Sequence, residues 1–252
     1  REGNLRQANA CYQVAAVRMQ DKSLMECAML QRKMAEVHAA LFVRRVKSEP
    51  SRNGDSSRSA ESSHKANADA RESATRAVAQ LTQALRMLTP VMKMAPTESE
   101  KLVIGEVARL HQNLGCITDR VMTLIHAQDP SGETDDFLSA LEPLHALPEN
   151  PLTKEELVNL GAQRSRNGKL SPVLRNRVIS HFEEALKVYD TRIGVEGFQG
   201  PKLSRVISRA GMLSRIATLY EESAHEKQAT AGPLAALQDS RKAVMSLESA
   251  LG

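Results

Sequence analysis

The chain has 252 residues, 41% of them hydrophobic and 25% charged, with a formal net charge of +4. This is a globular composition, and no apolar run approaches the roughly 20 residues that a membrane-spanning helix needs. Aromatic residues make up only 3% and tryptophan is absent, so few side chains could stack on bases, which argues against a nucleic-acid partner. The abundance of Ala, Leu, Met, Arg and Glu, with little β signal, predicts an all-α fold.

Residues 5–46 have the 3, 4 apolar spacing of helices. A capping box, Ser23-x-x-Glu26, predicts that a second helix starts near Leu24. A single helix of about forty residues is the alternative, and the pattern does not decide between the two. The apolar positions are Leu5, Ala8, Tyr12, Ala15, Ala16, Met19, Met25, Ala28, Met29, Met34, Val37 and Leu41.

Residues 48–64 are polar, rich in serine and contain Pro50 and Gly54. Such a run has too little apolar surface to pack, so we expect a disordered loop. Its serines are candidate phosphorylation sites, as the serines of any soluble linker would be.

Residues 65–94 form the next predicted helix, and Pro90 is expected to kink or end it. Another predicted helix follows the capping box Thr97-x-x-Glu100 and closes at Gly115. The pattern then continues helically over residues 117–127.

Within residues 129–170 the helical pattern is interrupted by Pro143, Pro148, Pro151 and an Asn167-Gly168 turn. Short helices are expected at 135–141 and 153–160, the second opened by a capping box of Thr153 and Glu156. We interpret this segment as a connector between two domains.

The C-terminal part contains three amphipathic helices with clear start signals. They begin at Ser171-Pro172, Gly200-Pro201 and Gly232-Pro233, where proline suits the first helical position. Three apolar stripes must be buried against each other, which predicts a three-helix bundle. The sequence therefore predicts two tandem three-helix bundles: residues 1–128 with the loop at 48–64, a connector at 129–170, and residues 171–252.

The cysteines and histidines, which could act in catalysis or bind a metal, are not clustered in the sequence. Cys11, Cys27 and Cys116 lack metal-ligand spacing, so we expect small buried residues in a reducing compartment. The seven histidines are expected on helix surfaces. No nucleophile elbow, phosphate-binding glycine loop or HExxH motif is present, and the Asp-Asp-Phe at 135–137 is not a kinase DFG because no glycine follows. We therefore expect no catalytic residue, metal, cofactor or small-molecule substrate.

Three segments together resemble a known family. Residues 77–95 (AVAQLTQALRMLTPVMKMA) follow a Ser-rich loop. Residues 174–193 (LRNRVISHFEEALKVYDTRI) are similar to a "VRNRF…EKAE" helix, with Arg175, Asn176 and Arg177 in register. Residues 211–251 resemble a final helix pair joined by Gly-Pro. Their order and spacing are similar to the C-terminal tandem MIT-type (early autophagy targeting) region of the Atg/ULK autophagy-initiating serine/threonine kinases.

That resemblance implies a non-catalytic regulatory region of a serine/threonine kinase, itself related in fold to tetratricopeptide repeats. It implies an adaptor subunit of the autophagy-initiation complex as partner, which inserts short amphipathic segments into grooves between MIT helices. It also implies a kinase domain before Arg1, so the chain is expected to be part of a longer one. The implied location is cytoplasmic, at sites of autophagosome formation, with peripheral membrane association.

Seven residues are candidates for contact with the partner, although each could instead be core. Tyr189 and Tyr220 are favoured because an amphipathic ring suits an interface rim. The candidates are Val188, Tyr189, Leu219, Tyr220, Leu237, Val244 and Leu247.

The alternative function is a tetratricopeptide-like helical scaffold subunit of a large assembly, for example a mitochondrial one. The Ala236/Ala243 pair has the seven-residue spacing of small residues in such repeats. However, no 34-residue period is visible.

Overall fold

The computed structural model describes residues 2–18, 23–47, 56–94, 98–127, 137–147, 152–156, 159, 172–189 and 202–251. Nearly all of these residues are helical and none of them forms a β-strand, which confirms the predicted all-α class. The chain divides into two compact units. Unit 1 contains Arg1–Ala95 and Cys116–Ser171, and unit 2 contains Pro96–Gly115 and Pro172–Gly252. The units are therefore not consecutive in sequence, unlike the predicted domains.

Unit 1 begins with helices α1 (Glu2–Arg18) and α2 (Leu24–Lys47). The backbone N–H of Glu26 donates a hydrogen bond to Oγ of Ser23 at 3.3 Å, as a capping box requires. The first segment is therefore two helices rather than one long one.

Helix α3 runs over Ser56–Met94. The predicted loop at 48–64 is thus wrong for residues 56–64, while 48–55 lie outside the described residues. The helix breakers Pro50 and Gly54 both precede Ser56, so nothing in 56–64 stops a helix. The helix also continues through Pro90, where an end or a kink was expected. The fully buried Leu88 lies just before the proline, and this packing can offset a lost backbone hydrogen bond.

The described part of the segment predicted as a connector, chiefly residues 137–147 and Leu152, belongs to the core of unit 1. A 3₁₀ segment, Phe137–Ala146, packs on α3, and the ring of Phe137 lies 6.3 Å from that of Phe42 on α2. The connector assignment was wrong because the prolines and the turn residues hid a closely spaced apolar pattern. The buried side chains of this segment are Phe137, Leu138, Ala140, Leu141, Leu144, Leu147 and Leu152.

The capping box after this segment is present as predicted. The N–H of Thr153 donates to Oε2 of Glu156 at 2.8 Å, and the N–H of Glu156 donates to Oγ1 of Thr153 at 3.1 Å. The two residues therefore satisfy each other's free backbone donors.

Helix α4 (Glu98–Ala127) is continuous through Gly115, where the sequence predicted its end. The division between the units falls within this helix, between Gly115 and Cys116. Gly115 is required by packing and not by a turn, because a Cβ at this position would lie 2.6 Å from Cε1 of Phe182.

Unit 2 contains the first part of α4 and helices α5 (Pro172–Tyr189), α6 (Lys202–Ala231) and α7 (Pro233–Leu251). Gly232 ends α6 with φ of +88°, and its N–H donates to the carbonyl of Gln228 at 3.2 Å. The three C-terminal helices were predicted, but the contribution of α4 was not. Buried core side chains of the unit include Leu110, Leu114, Leu174, Val178, Phe182, Ala185, Leu213, Ile216 and Leu219.

Within the part of the chain that the structure describes, no helix is both long and apolar enough to cross a membrane.

Candidate protein-interaction surface

Helix α7 buries its small residues and exposes its large apolar ones. Ala236, Asp239 and Ala243 are its buried side chains. Six large apolar side chains of the same helix are between 47% and 90% exposed: Leu234, Leu237, Val244, Met245, Leu247 and Leu251. Soluble monomers seldom leave a contiguous apolar strip uncovered, so this arrangement is typical of an interaction surface.

Polar contacts hold the buried side of α7 against α6. The hydroxyl of Ser223 donates to Oδ2 of Asp239 at 2.7 Å, and Nζ of Lys227 lies 2.7 Å from the same oxygen. Burial alone would raise the pKa of Asp239, but the hydrogen bonds from Lys227 and Ser223 outweigh it and hold that pKa below its ordinary value. Near the other end, Nη1 of Arg209 donates to the carbonyl of Ser249 at 2.7 Å. Polar contacts therefore join α7 to α6 at Asp239 and, near its C-terminus, at Ser249.

Five positions of α7 form a continuous row, which we call the α7 seam: Leu237, Ser240, Val244, Leu247 and Leu251. Their 3, 4, 3, 4 spacing places them along one side of the helix over about 21 Å at 1.5 Å per residue. This is the spacing at which one helix packs along another. All five side chains are exposed.

Two opposite charges border the α7 seam on its outer side. Arg241 and Glu248 are both exposed, and neither has an ion-pair partner among the described residues. They lie seven residues apart, hence about 10 Å along the same face.

The structure separates the seven predicted contact residues into three groups. Leu237, Val244 and Leu247 lie together on the α7 seam and are about half exposed. Leu219 and Tyr189 are buried in the core of unit 2 and offer no free surface. Val188 and Tyr220 are half-buried.

The two tyrosines differ in role. The hydroxyl of Tyr189 donates to Oε1 of Gln112 on α4 at 2.7 Å, so this ring belongs to the interior. The hydroxyl of Tyr220 donates to Oε1 of Glu183 at 3.3 Å, and Nζ of Lys242 lies 5.0 Å from its ring centroid. Burial and the nearby Glu183 carboxylate raise the pKa of Tyr220 to about 12, which keeps it neutral at physiological pH. Of the two, only Tyr220 is both partly buried and next to exposed charged side chains, as expected of a residue at an interface rim.

A histidine pair that the sequence did not predict lies inside unit 2. Nδ1 of His111 on α4 is 3.1 Å from Nδ1 of His181 on α5. Burial lowers the pKa of His111 to about 4 and that of His181 well below its ordinary value, so both rings are neutral at pH 7. The expectation of surface histidines is wrong for His181 and for His38, which are buried. The pair joins residues 70 apart, which no local pattern reveals.

The cysteines also differ from the expectation. Cys11 and Cys116 are exposed and Cys27 is intermediate, because the first two face away from the apolar stripes of their helices. Among the described residues, no group of three or more His, Cys, Asp or Glu side chains is arranged to hold a metal ion.

Unit 1 has an open cleft of about 690 Å³ between α3 and the 3₁₀ segment. Its lining is mixed, with Arg86, Glu142 and His145 beside Met87 and other apolar side chains. Oγ1 of Thr75 donates to the carbonyl of Arg71 at 2.9 Å and Nδ1 of His145 contacts the carbonyl of Glu142, so these two groups are engaged with the backbone.

Comparison of the chain with protein-family models, curated proteins and solved structures finds no match.

Proposed function

We propose that this chain is a non-catalytic protein-interaction region and that the α7 seam binds an amphipathic helix of an adaptor subunit. The observation that carries the proposal is the orientation of α7, which packs on its small residues and presents its large ones. The tandem MIT-type resemblance supplies the class of partner, an adaptor of the autophagy-initiation complex. In that role the region would help to recruit a kinase to sites of autophagosome formation.

The binding mode is a helix lying along a helix, with anchors at i, i+3, i+4 and i+7. Complete burial of a Leu or Val side chain contributes about 1.5–3 kcal/mol. Leu237, Val244 and Leu247 are already about half covered, whereas Leu251 is 90% exposed. Four of them together supply only several kcal/mol, before the costs of association are subtracted. A single seam therefore supports weak binding, and tight binding would need further contacts.

The proposal places the partner site in unit 2. The sequence suggested grooves in both bundles, but in unit 1 the chain's own 3₁₀ segment packs on α3 with nearly all of its apolar side chains buried. The exposed seam of unit 2 has no such cover among the described residues.

Val244→Asp tests the proposal. A charge at the centre of an apolar contact is left unpaired, so titration calorimetry with a purified autophagy adaptor subunit should show affinity reduced at least about 30-fold. The matched control is Gln238→Asp, which places the same charge on α7 at an exposed position outside the seam. It should change the affinity less than about 3-fold.

Thermal melting of both variants separates binding from folding. Val244 is more than half exposed, so Val244→Asp should melt within a few degrees of the parent. The proposal fails if the parent protein does not bind the adaptor or if the two variants bind equally. Reproducible co-purification with ribosomal or respiratory subunits instead would favour the scaffold alternative.

A further inference from the structure

The exposed face of α7 is complementary to itself when two copies run in opposite directions. Arg241 and Glu248 are equidistant from a point between Val244 and Met245 in the sequence. A two-fold axis through that point brings Arg241 of one copy opposite Glu248 of the other, and the symmetry repeats the pair at the second end. Neither side chain has an ion-pair partner among the described residues of its own chain.

We infer that the α7 seam is a self-association surface and that its occupant is the α7 helix of a second copy, packed antiparallel. In this register the two Val244 side chains lie within about 1.5 Å of each other along the helix axis at the centre, and Leu237 and Leu251 have the same small offset at each end. Packed helices lie 8–10 Å apart, a distance that Arg and Glu side chains span from the flanks. A two-fold contact of this kind is closed, so it gives a dimer and not a filament.

The polar residue within the seam is compatible with this pairing. Ser240 is exposed and its hydroxyl donates to the carbonyl of Ala236 at 3.1 Å, within its own helix. Covering it therefore leaves no hydroxyl donor unsatisfied. Its small size also leaves room for a Leu251 side chain from the second copy.

The small residues on the buried side of α7 explain why the α7 seam is left exposed. Helix α7 packs on α6 and buries Ala236 and Ala243, while its large apolar side chains stay between 47% and 90% exposed. A single 19-residue helix is about 28 Å long, which is short for a stable dimer. We therefore expect a reversible dimer with a dissociation constant in the micromolar range or above, formed in addition to any other contact.

The inference is independent of the proposed adaptor. Both would use the α7 seam, so a bound adaptor helix and the second copy exclude each other. The experiments can refute self-association and still support adaptor binding, or refute adaptor binding and still support self-association.

Charge exchange tests the pairing by sedimentation equilibrium of the intact 252-residue protein. Arg241→Glu should weaken the dimer about 10-fold, because both cross-pairs become Glu–Glu contacts. Glu248→Arg should weaken it similarly through Arg–Arg contacts. The double variant R241E/E248R has the net charge of the parent and restores both pairs, so it should dimerise like the parent.

A mixture of the two single variants gives a second, sharper readout. A heterodimer of R241E with E248R places Glu opposite Arg at both ends, so the mixture should associate where each variant alone is monomeric. Val244→Asp should abolish dimers of every combination, with its fold checked by circular dichroism.

Two results would overturn the inference. One is a parent protein that stays monomeric up to millimolar concentration. The other is a dimer that neither single charge exchange weakens or that the double variant does not restore, since its interface would then lie elsewhere.

Discussion

Adding a single methyl group at Gly115 should lower the stability of the protein far more than such a small change would elsewhere. A Cβ there would lie 2.6 and 2.7 Å from Cε1 and Cδ1 of Phe182, much closer than two carbon atoms can approach. Phe182 is itself buried, so its ring cannot turn away into solvent. Overpacking of this kind costs about 1–3 kcal/mol.

Gly115→Ala also has a favourable effect, because Ala is better than Gly in a helix by about 1 kcal/mol. The matched control, Gly211→Ala in α6, has the same favourable effect and no clash, since no other group lies within 4 Å of a Cβ at that position. The gain in helix propensity from Gly to Ala is the same in both variants, so it cancels when their stabilities are compared. The free energies of unfolding of the two variants should therefore differ by about 1–3 kcal/mol, with Gly211→Ala the more stable.

Urea unfolding followed by circular dichroism measures this difference. In the double variant Gly115→Ala/Phe182→Leu the smaller side chain removes the overlap, so the two substitutions should cost less together than the sum of their separate effects. If Gly115→Ala stabilises the protein as much as Gly211→Ala does, the close packing of α4 on α5 is refuted.

Two further predictions concern the interior of each unit. The buried pair His111 and His181 has lowered pKa values, so the unfolded chain takes up protons more readily than the folded one and stability should fall as the pH drops from about 6.5 toward 4. At pH 5 the loss from His111 is about 2 kcal/mol, and His181 lowers the stability in the same direction. The variant His181→Leu should therefore flatten the dependence in urea titrations at pH 7.5 and 5; a parent protein equally stable at both pH values would contradict it. In unit 1, Leu144→Ala should destabilise by about 2–5 kcal/mol because Leu144 is completely buried, whereas Glu142→Ala on the same 3₁₀ segment should change stability by less than about 0.5 kcal/mol. Equal and small effects in thermal melts would restore the connector interpretation.

Sequence signals within a few residues predicted where helices begin. They failed at positions whose structure depends on contacts between residues far apart in the sequence. The helix start at Ser23, the capping box at Thr153 and the Gly-Pro start at 232–233 each depend on neighbours within a few residues, and all three were confirmed. Gly115 was predicted to end a helix because glycine is common at helix C-termini. Glycine is also found inside helices where another element packs closely, as it does here. Its contact, Phe182, is 67 residues away, beyond the reach of any periodicity argument.

The candidate surface was predicted only in part for the same reason. Leu237, Val244 and Leu247 were chosen as apolar residues of an amphipathic helix, and the spacing could not tell which side would face inward. The structure shows that Ala236 and Ala243 are the buried side, where α7 packs on α6. Tyr189 was misjudged because its hydrogen bond to Gln112 joins residues that are 77 apart.

The division of α4 between the units affects the order in which the protein can form during synthesis. The chain leaves the ribosome from its N-terminus, and every segment assigned to unit 1 has emerged once Ser171 is out. Pro96–Gly115 emerges early but belongs to unit 2, whose other helices begin only at Pro172. Leu110 and Leu114 on that stretch are buried in the folded protein, and the adjacent Gly115 packs on Phe182, so we expect their burial to follow the synthesis of Phe182. During the synthesis of about sixty intervening residues, we expect these apolar side chains to be exposed, a state in which nascent chains are bound by chaperones.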